Sequence, residues 1–168
     1  MTARTFLLRL AACLCIASLT ACGFQLRGPK PLAFKTIYLG INPYSELNAA
    51  LKRQIHTSGT TEAVAAATEA EVMLQVANDS QEKVILSLAT DGTVREYQLR
   101  RSFSFRVQDR KGREVLSLAQ INLTRDMTFS DNVRLAKDQE ETQLYRDMED
   151  DLVQQIMRRL AAIRPSAP

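Results

Sequence analysis

The chain has 168 residues, about the length of one domain, and its 45% apolar and 24% charged residues are ordinary for a globular protein. A single histidine excludes multi-histidine metal sites, and six glycines with five prolines exclude a collagen-like or low-complexity chain. The formal charge of +3 is too small to indicate a nucleic-acid partner by itself.

Residues 1–21 have the pattern of a secretory signal peptide. Arg4 and Arg9 supply its positive segment, and the apolar run over 10–19 is shorter than the roughly 20 residues that span a bilayer. The run leads into Leu-Thr-Ala-Cys, a tetrapeptide that resembles the bacterial lipobox. We therefore expect a diacylglyceryl group on the thiol of Cys22 and an N-acyl chain on its amine after cleavage.

Cleavage before Cys22 removes Cys13 and Cys15, so the mature chain keeps one thiol and forms no internal disulfide. Two or three acyl chains anchor a protein stably, whereas one is marginal. Gly23 stands where lipoproteins retained at the inner membrane commonly have Asp. Gly23 at this position is consistent with transport to the outer membrane.

Residues 22–33 contain two glycines and two prolines and predict an extended, lipid-anchored tether. A single domain is expected over 34–168. It opens with a short strand over 34–39, and Asn42-Pro43 then supplies the N-cap and first residue of a helix.

This first helix has an apolar stripe at four-residue spacing, and Gly59 predicts its end. Residues 60–70 then indicate a loop or a frayed extension of the helix. Residues 71–89 predict either one long bulged strand or two short ones, because polar residues interrupt the alternation at 78–80. Asp91-Gly92 predicts a hairpin turn.

The clearest strand covers residues 96–107, with large apolar residues at alternate positions. A turn at 109–112 leads to a further strand that alternates through residues 119–124 and continues toward Phe129. The apolar face of the clearest strand consists of Tyr97, Leu99, Phe103, Phe105 and Val107.

The last element is a helix with apolar residues at strict four-residue spacing from Leu144 to Leu160. Acidic residues are concentrated in its first half, at 138–151, and arginines follow. This order predicts negative charge near the N-terminus and positive charge near the C-terminus, which suits the helix dipole at both ends. The sequence therefore predicts an α+β two-layer sandwich, with two helices packed on one face of a roughly four-stranded, mostly antiparallel sheet.

No pattern of a phosphate loop, nucleophile elbow, HExxH helix or CxxC pair is present in the sequence. We interpret His56 as a solvated residue at a helix end, and the acids at 138–151 as a polar helix face. We therefore expect that the protein is not an enzyme and that it binds no metal and no cofactor beyond the lipid on Cys22.

Charge is segregated, with basic residues concentrated at 95–113 and acidic residues at 138–151. Arg100 and Arg106 alternate with serines on the sheet face that the helices leave open, and guanidinium groups suit phosphate. Simple solubility of an exposed face is the alternative. Arg101 falls among apolar residues, so we expect it to extend to the rim of the sheet or to be redirected by a bulge.

The ordered motifs of the mature chain resemble those of the LptE family of outer-membrane LPS-assembly lipoproteins. They are Cys22-Gly23-Phe24-Gln25-Leu26-Arg27-Gly28, Asp91-Gly92-Thr93-Val94-Arg95-Glu96-Tyr97, Leu135-Ala136-Lys137 before the last helix, and Met148, Asp151, Gln155, Arg159 and Leu160 within it. Gln25 stands where the family more often has His.

The resemblance implies an outer-membrane lipoprotein that plugs and helps to assemble the β-barrel LptD and binds lipopolysaccharide during its delivery to the outer leaflet. It makes Arg100 and Arg106 candidate lipopolysaccharide contacts, with Arg95 and Lys137 as further candidates. Tyr97, Phe103 and Phe105 of the same stretch are expected to supply aromatic surface beside these cations. A different periplasm-facing outer-membrane lipoprotein, acting as a cell-wall scaffold or enzyme accessory, is the alternative function.

Overall fold

The computed structural model describes residues 31–164, so the predicted signal peptide, Cys22 and most of the tether lie outside the described residues. Short 3-10 helices at Ala67–Glu69 and Asp131–Val133 precede the third strand and the second helix. The other elements are β1 (Thr36–Gly40), α1 (Glu46–Thr57), β2 (Glu62–Val64), β3 (Val72–Leu88), β4 (Val94–Asp109), β5 (Glu114–Thr128) and α2 (Arg134–Leu160).

The strands form one sheet in the order β2-β1-β3-β4-β5. β1 runs parallel to β2 and β3, whereas β3, β4 and β5 are joined as antiparallel hairpins. The predicted α+β class is confirmed, but the sheet is mixed and has five strands rather than about four. The additional strand is β2, inside the segment predicted as a loop. Its three residues are too few to show alternation, and its pairing with β1 defines it.

β3 is a single long strand, which decides between the two predicted alternatives. Its register against β4 shifts between Val76 and Asn78, so the polar break is a bulge and not a chain reversal. The 17 residues of β3 extend about 50 Å at roughly 3.3 Å per residue. Gly92 and Gly112 close the two hairpins at φ +83° and +76°, as the turn predictions required.

α1 begins later than predicted, at Glu46, and Ser45 is its N-cap. The Ser45 hydroxyl accepts a hydrogen bond from the Asn48 amide at 3.2 Å. Asn42 instead forms a turn before the helix, where its side chain accepts from the Tyr44 amide at 3.0 Å. The cap prediction was wrong because Asn42 and Ser45 both suit an N-terminus. The predicted end near Gly59 is confirmed.

α2 begins earlier than predicted, at Arg134, so Leu135-Ala136-Lys137 lies in its first turn and not before it. That turn holds no acid and includes Arg134 and Lys137, so the expected dipole match at the N-terminus is wrong. Val133 occupies the N-cap position without a side-chain hydrogen bond, which is why no capping signature was visible. The basic last turn, with Arg158 and Arg159, agrees with the prediction.

The main core lies between the sheet and both helices. Phe103 and Phe105 of β4 are fully buried against Leu51 of α1 and Leu152 of α2, as the alternation and the helix stripes predicted. A second, smaller cluster lies farther along the hairpins and consists of Leu99, Met127 and Met148. Neither helix in the described part of the chain has the length and apolarity needed to cross a membrane.

Candidate functional site

The long hairpins give the domain two ends. The tip comprises residues 83–97 and 127–137, where β3 turns into β4 and β5 leads into α2. The base comprises residues 31–36, 52–72, 108–115 and 157–164 at the opposite end. Because β1 pairs only with the first residues of β3, the sheet has three strands at the tip.

Two of the candidate cations, Arg95 and Lys137, lie at the tip. The Arg95 carbonyl accepts a hydrogen bond from the Phe129 amide at 2.8 Å. The Lys137 ammonium donates to the Thr128 hydroxyl at 3.0 Å and to the Glu140 carboxylate at 2.7 Å. Thr128 and Phe129 are neighbours at the end of β5, so the Arg95 backbone and the Lys137 ammonium both contact this end of the strand, although the two residues are distant in sequence.

The same end exposes aliphatic side chains. Leu135 is 74% exposed, Ile85 58% and Leu88 57%, and Leu86 and Val133 are also exposed. In the described chain, most of the large exposed hydrophobic residues lie at the tip. The tip therefore presents cations beside apolar surface, which single exposed residues scattered over a soluble protein do not do.

An aromatic cluster supports the tip from beneath. The Tyr97 and Phe129 rings meet edge to face with centroids 5.2 Å apart, and the Lys83 ammonium lies 4.3 Å from the Tyr97 centroid. Lys83 also forms an ion pair with Glu141 of α2. Sequence reasoning did not find Lys83, because its partners come from β4 and α2 and nothing in its own neighbourhood signals them.

Tyr145 of α2 joins this cluster through its hydroxyl, which donates to the Glu82 carbonyl at 3.2 Å. Burial and the nearby Glu141 carboxylate raise the pKa of Tyr145 above its ordinary value. The phenol therefore stays protonated and keeps its hydrogen bond at neutral pH, which ties α2 to the edge of β3.

Arg100 and Arg106 lie far from the tip pair, on the open face of the sheet. Arg100 donates to Gln98 at 2.8 Å, while Arg106 donates to Gln75 at 3.0 Å and forms an ion pair with Glu114. Six residues of strand separate the two arginines by about 20 Å. Arg95 and Lys137 lie at the tip, and Arg100 and Arg106 lie at two separate points of the open face, so the structure does not bring the four candidate residues together as one site.

The apolar partners expected for Arg100 and Arg106 do not adjoin them. Phe103 and Phe105 face the helices and are fully buried, whereas the open face carries small polar side chains. Ser102 and Asn122 are typical, with a hydrogen bond of 2.8 Å between their side chains. The adjacency in sequence misled because neighbouring residues of a strand point to opposite faces.

Arg101 corrects a further expectation, because it neither reaches the rim nor sits at a bulge. It stays in register opposite Gln81 and Leu123 and is 8% exposed. Its guanidinium forms ion pairs with Asp79 of β3 and Glu149 of α2, the latter at 3.7 Å. Burial and the carboxylates of Asp79 and Glu46 raise the pKa of Glu149, against the attraction of Arg101.

His56 is exposed in a shallow groove that it shares with Lys52 and Glu62. No group of three or more potential metal ligands occurs among residues 31–164.

The family model LptE, described as lipopolysaccharide-assembly, matches residues 34–160. The LPS-assembly lipoprotein LptE of Pectobacterium atrosepticum is 31% identical over 151 residues, 86% of this chain and 79% of that protein. The protein of the same name from Yersinia enterocolitica is 29% identical over 147 residues, 84% and 69% of the two chains.

Two solved lipoprotein structures have a similar fold. The solution structure of an uncharacterized lipoprotein B from Nitrosomonas europaea superposes with a TM-score of 0.70 at 38% identity, covering 83% of this chain and 91% of that one. The crystal structure of the rare lipoprotein B from Shewanella oneidensis gives a TM-score of 0.65 at 26% identity, with coverages of 76% and 95%.

Proposed function

Because the chain belongs to the LptE family of lipopolysaccharide-assembly lipoproteins, we propose that it binds lipopolysaccharide during delivery to the outer leaflet and that it plugs and helps to assemble the β-barrel LptD. Lipid on Cys22 anchors it in the outer membrane, on the periplasmic side and in the barrel lumen. It acts by binding and not by catalysis, and it needs no cofactor or nucleic acid.

The observation that carries lipopolysaccharide binding is the composition of the tip. Lipid A presents phosphates beside acyl chains, so its receptor needs cations next to apolar surface. Arg95 supplies an exposed cation and Lys137 a second one that is ion-paired with Glu140, and Ile85, Leu88 and Leu135 supply exposed aliphatic surface at the same end. Charge-assisted hydrogen bonds from Arg or Lys to phosphate are among the stronger polar contacts in proteins.

The open face suits a different contact. Its hydroxyl and amide groups, with Arg100 and Arg106 among them, form a polar surface along β4 and β5. The lumen of an outer-membrane barrel is polar, so it accepts such a surface without a large apolar patch. Arg100 and Arg106 remain candidates for lipopolysaccharide, and the barrel wall is the competing partner for them.

Two double variants, each of which removes two positive charges, test whether lipopolysaccharide binds at the tip or at the open face. We expect Arg95→Ala with Lys137→Ala to weaken lipopolysaccharide binding by the purified, non-acylated mature chain at least tenfold, while LptD still co-purifies from membranes. Arg100→Ala with Arg106→Ala is the matched control. A loss of lipopolysaccharide binding only in that control would move the site to the open face, and failure of the unmodified protein to retain LptD would overturn the plug proposal.

The anchor is tested separately. Cys22→Ala removes the predicted acylated thiol, so we expect labelled palmitate to be absent from the protein and the domain to be released from membranes. Palmitate label that persists in Cys22→Ala would contradict the proposed lipid attachment.

A further inference from the structure

Charge is distributed unevenly between the tip and the base of the domain. The acids that precede the middle of α2 lie toward the tip, whereas basic side chains predominate at the base. The basic residues at the base are Lys35, Lys52, Arg53, Arg110, Lys111, Arg113, Arg158, Arg159 and Arg164, and the acidic ones are Glu62, Glu69, Glu71, Asp109 and Glu114.

Part of this acidic charge is neutralised within the fold. Asp109 forms an ion pair with Arg113, and Glu114 forms one with Arg106 of the open face. By contrast, no carboxylate of the described chain lies within ion-pair distance of Lys52 or Lys111, and both side chains are exposed. The base therefore presents cations that no group of the described domain neutralises.

The base is also where the chain from Cys22 enters the fold. Leu32 and Phe34 are buried in the main core there, at 6% and 7% exposure. Nine residues lie between Cys22 and Leu32, and the ten Cα–Cα steps across them reach at most about 35 Å. A lipid on Cys22 thus holds the point where the chain enters the base within that distance of the membrane surface.

We propose that the base is a docking surface for the anionic phospholipid headgroups of the leaflet that holds the anchor. The inference rests on the lipid attachment at Cys22 proposed above. Acyl chains combined with a polybasic patch are a known arrangement for stable membrane association, because the two contributions add. Docking through the base fixes how the domain stands on the membrane and leaves the tip directed away from that leaflet.

A vesicle assay with the non-acylated mature chain, Cys22→Ser, tests the surface apart from the anchor. We expect binding to vesicles of phosphatidylglycerol and phosphatidylcholine, no binding to phosphatidylcholine alone, and release by added salt. Lys52→Ala with Lys111→Ala should reduce vesicle binding about tenfold or more. The control, Arg134→Ala with Arg146→Ala, removes equal charge from exposed positions of α2 and should have little effect.

Equal losses in both variants would show attraction by net charge alone and overturn the docking surface, as would unchanged binding in the base variant. A base variant that loses affinity for lipopolysaccharide, and not for phosphatidylglycerol, would overturn it in favour of that other anionic lipid. Because the assay needs no acylation, failure of the palmitate experiment is distinguishable from failure of the base. The exposed positions leave the thermal midpoint of each variant unchanged, which serves as the folding control.

Discussion

The half of the domain near the base and the half near the tip share strands β3, β4 and β5 but differ in what covers them. Near the base, both helices pack on the sheet, and the main core includes side chains from every strand except β2. Toward the tip, only the first half of α2 covers the sheet, and the buried cluster shrinks to Leu99, Met127 and Met148. Arg101, with its two carboxylates, lies between the clusters.

This difference separates stability from binding. Buried apolar area is the main source of folding free energy, so the half near the base holds the domain together. The tip buries little and exposes aliphatic and charged side chains, which makes it available to a ligand.

The largest expected effect is in the main core. Leu152 is fully buried in mid-α2, so Leu152→Ala should lower the free energy of unfolding by about 2–5 kcal/mol, measured by urea denaturation. Lipopolysaccharide binding by the fraction that remains folded should be unchanged. An unchanged midpoint would mean that α2 does not cover the sheet there.

Met148→Ala likewise removes most of a buried side chain, here in the smaller cluster of Leu99, Met127 and Met148. Met148 is fully buried, but its partners Tyr97 and Leu144 are only partly buried and are free to close on the cavity. We therefore expect a cost near the lower limit for such deletions, about 2 kcal/mol. A cost above that of Leu152→Ala would erase the contrast between the two halves.

Much of this architecture follows from local pattern. Alternation identifies Phe103 and Phe105 as core and Arg100 and Arg106 as open face, and four-residue spacing identifies Leu152. Local pattern fails where the decisive partner is distant. β2 exists through its pairing with β1, and Arg101 is tolerated in the interior because Asp79 and Glu149 meet it there.

The candidate site shows the same division. Arg95 and Lys137 were each recognised as candidates, but their common position at the tip depends on the end of β5 and on the early start of α2. Neither feature has a sequence signal, since Val133 provides no side-chain cap. The exposed leucines of the tip were equally hidden, because alternation near Leu86 and Leu88 is broken by register shifts in β3.

Substitution of Arg101, whose ion pairs lie between the two halves, should have an intermediate effect on the free energy of unfolding. Arg101→Met keeps most of the aliphatic stem but leaves Asp79 and Glu149 without their cation. Removing one partner of a buried pair costs about 3–5 kcal/mol, but Asp79 is 40% exposed, so we expect about 1–2 kcal/mol after solvent screening. Adding Glu149→Gln should restore part of the loss in urea denaturation. A double variant less stable than Arg101→Met would contradict this account.

The smallest effect is a pH dependence at the same boundary. The folded-state pKa of Glu149 is raised above its ordinary value of 4.5, first by burial and then by the nearby carboxylates. The protonated form is therefore favoured on folding, and that contribution is full below pH 4.5 and is lost as pH rises through the raised pKa. Glu149→Gln cannot ionise, so its stability relative to the parent should increase from pH 4.5 toward neutrality.

Asp109 at the base provides a control of opposite sign for this pH dependence. Although desolvation opposes it, hydrogen bonds and the charge of Arg113 lower the pKa of Asp109 below its ordinary value of 3.8. The stability it contributes is present above pH 3.8 and is lost as pH falls through the lowered pKa. Asp109→Asn should therefore be less stable than the parent at neutral pH, with the gap closing in acid. Parallel pH profiles for Asp109→Asn and Glu149→Gln, followed by urea denaturation, would contradict the opposite environments assigned to these two carboxyl groups.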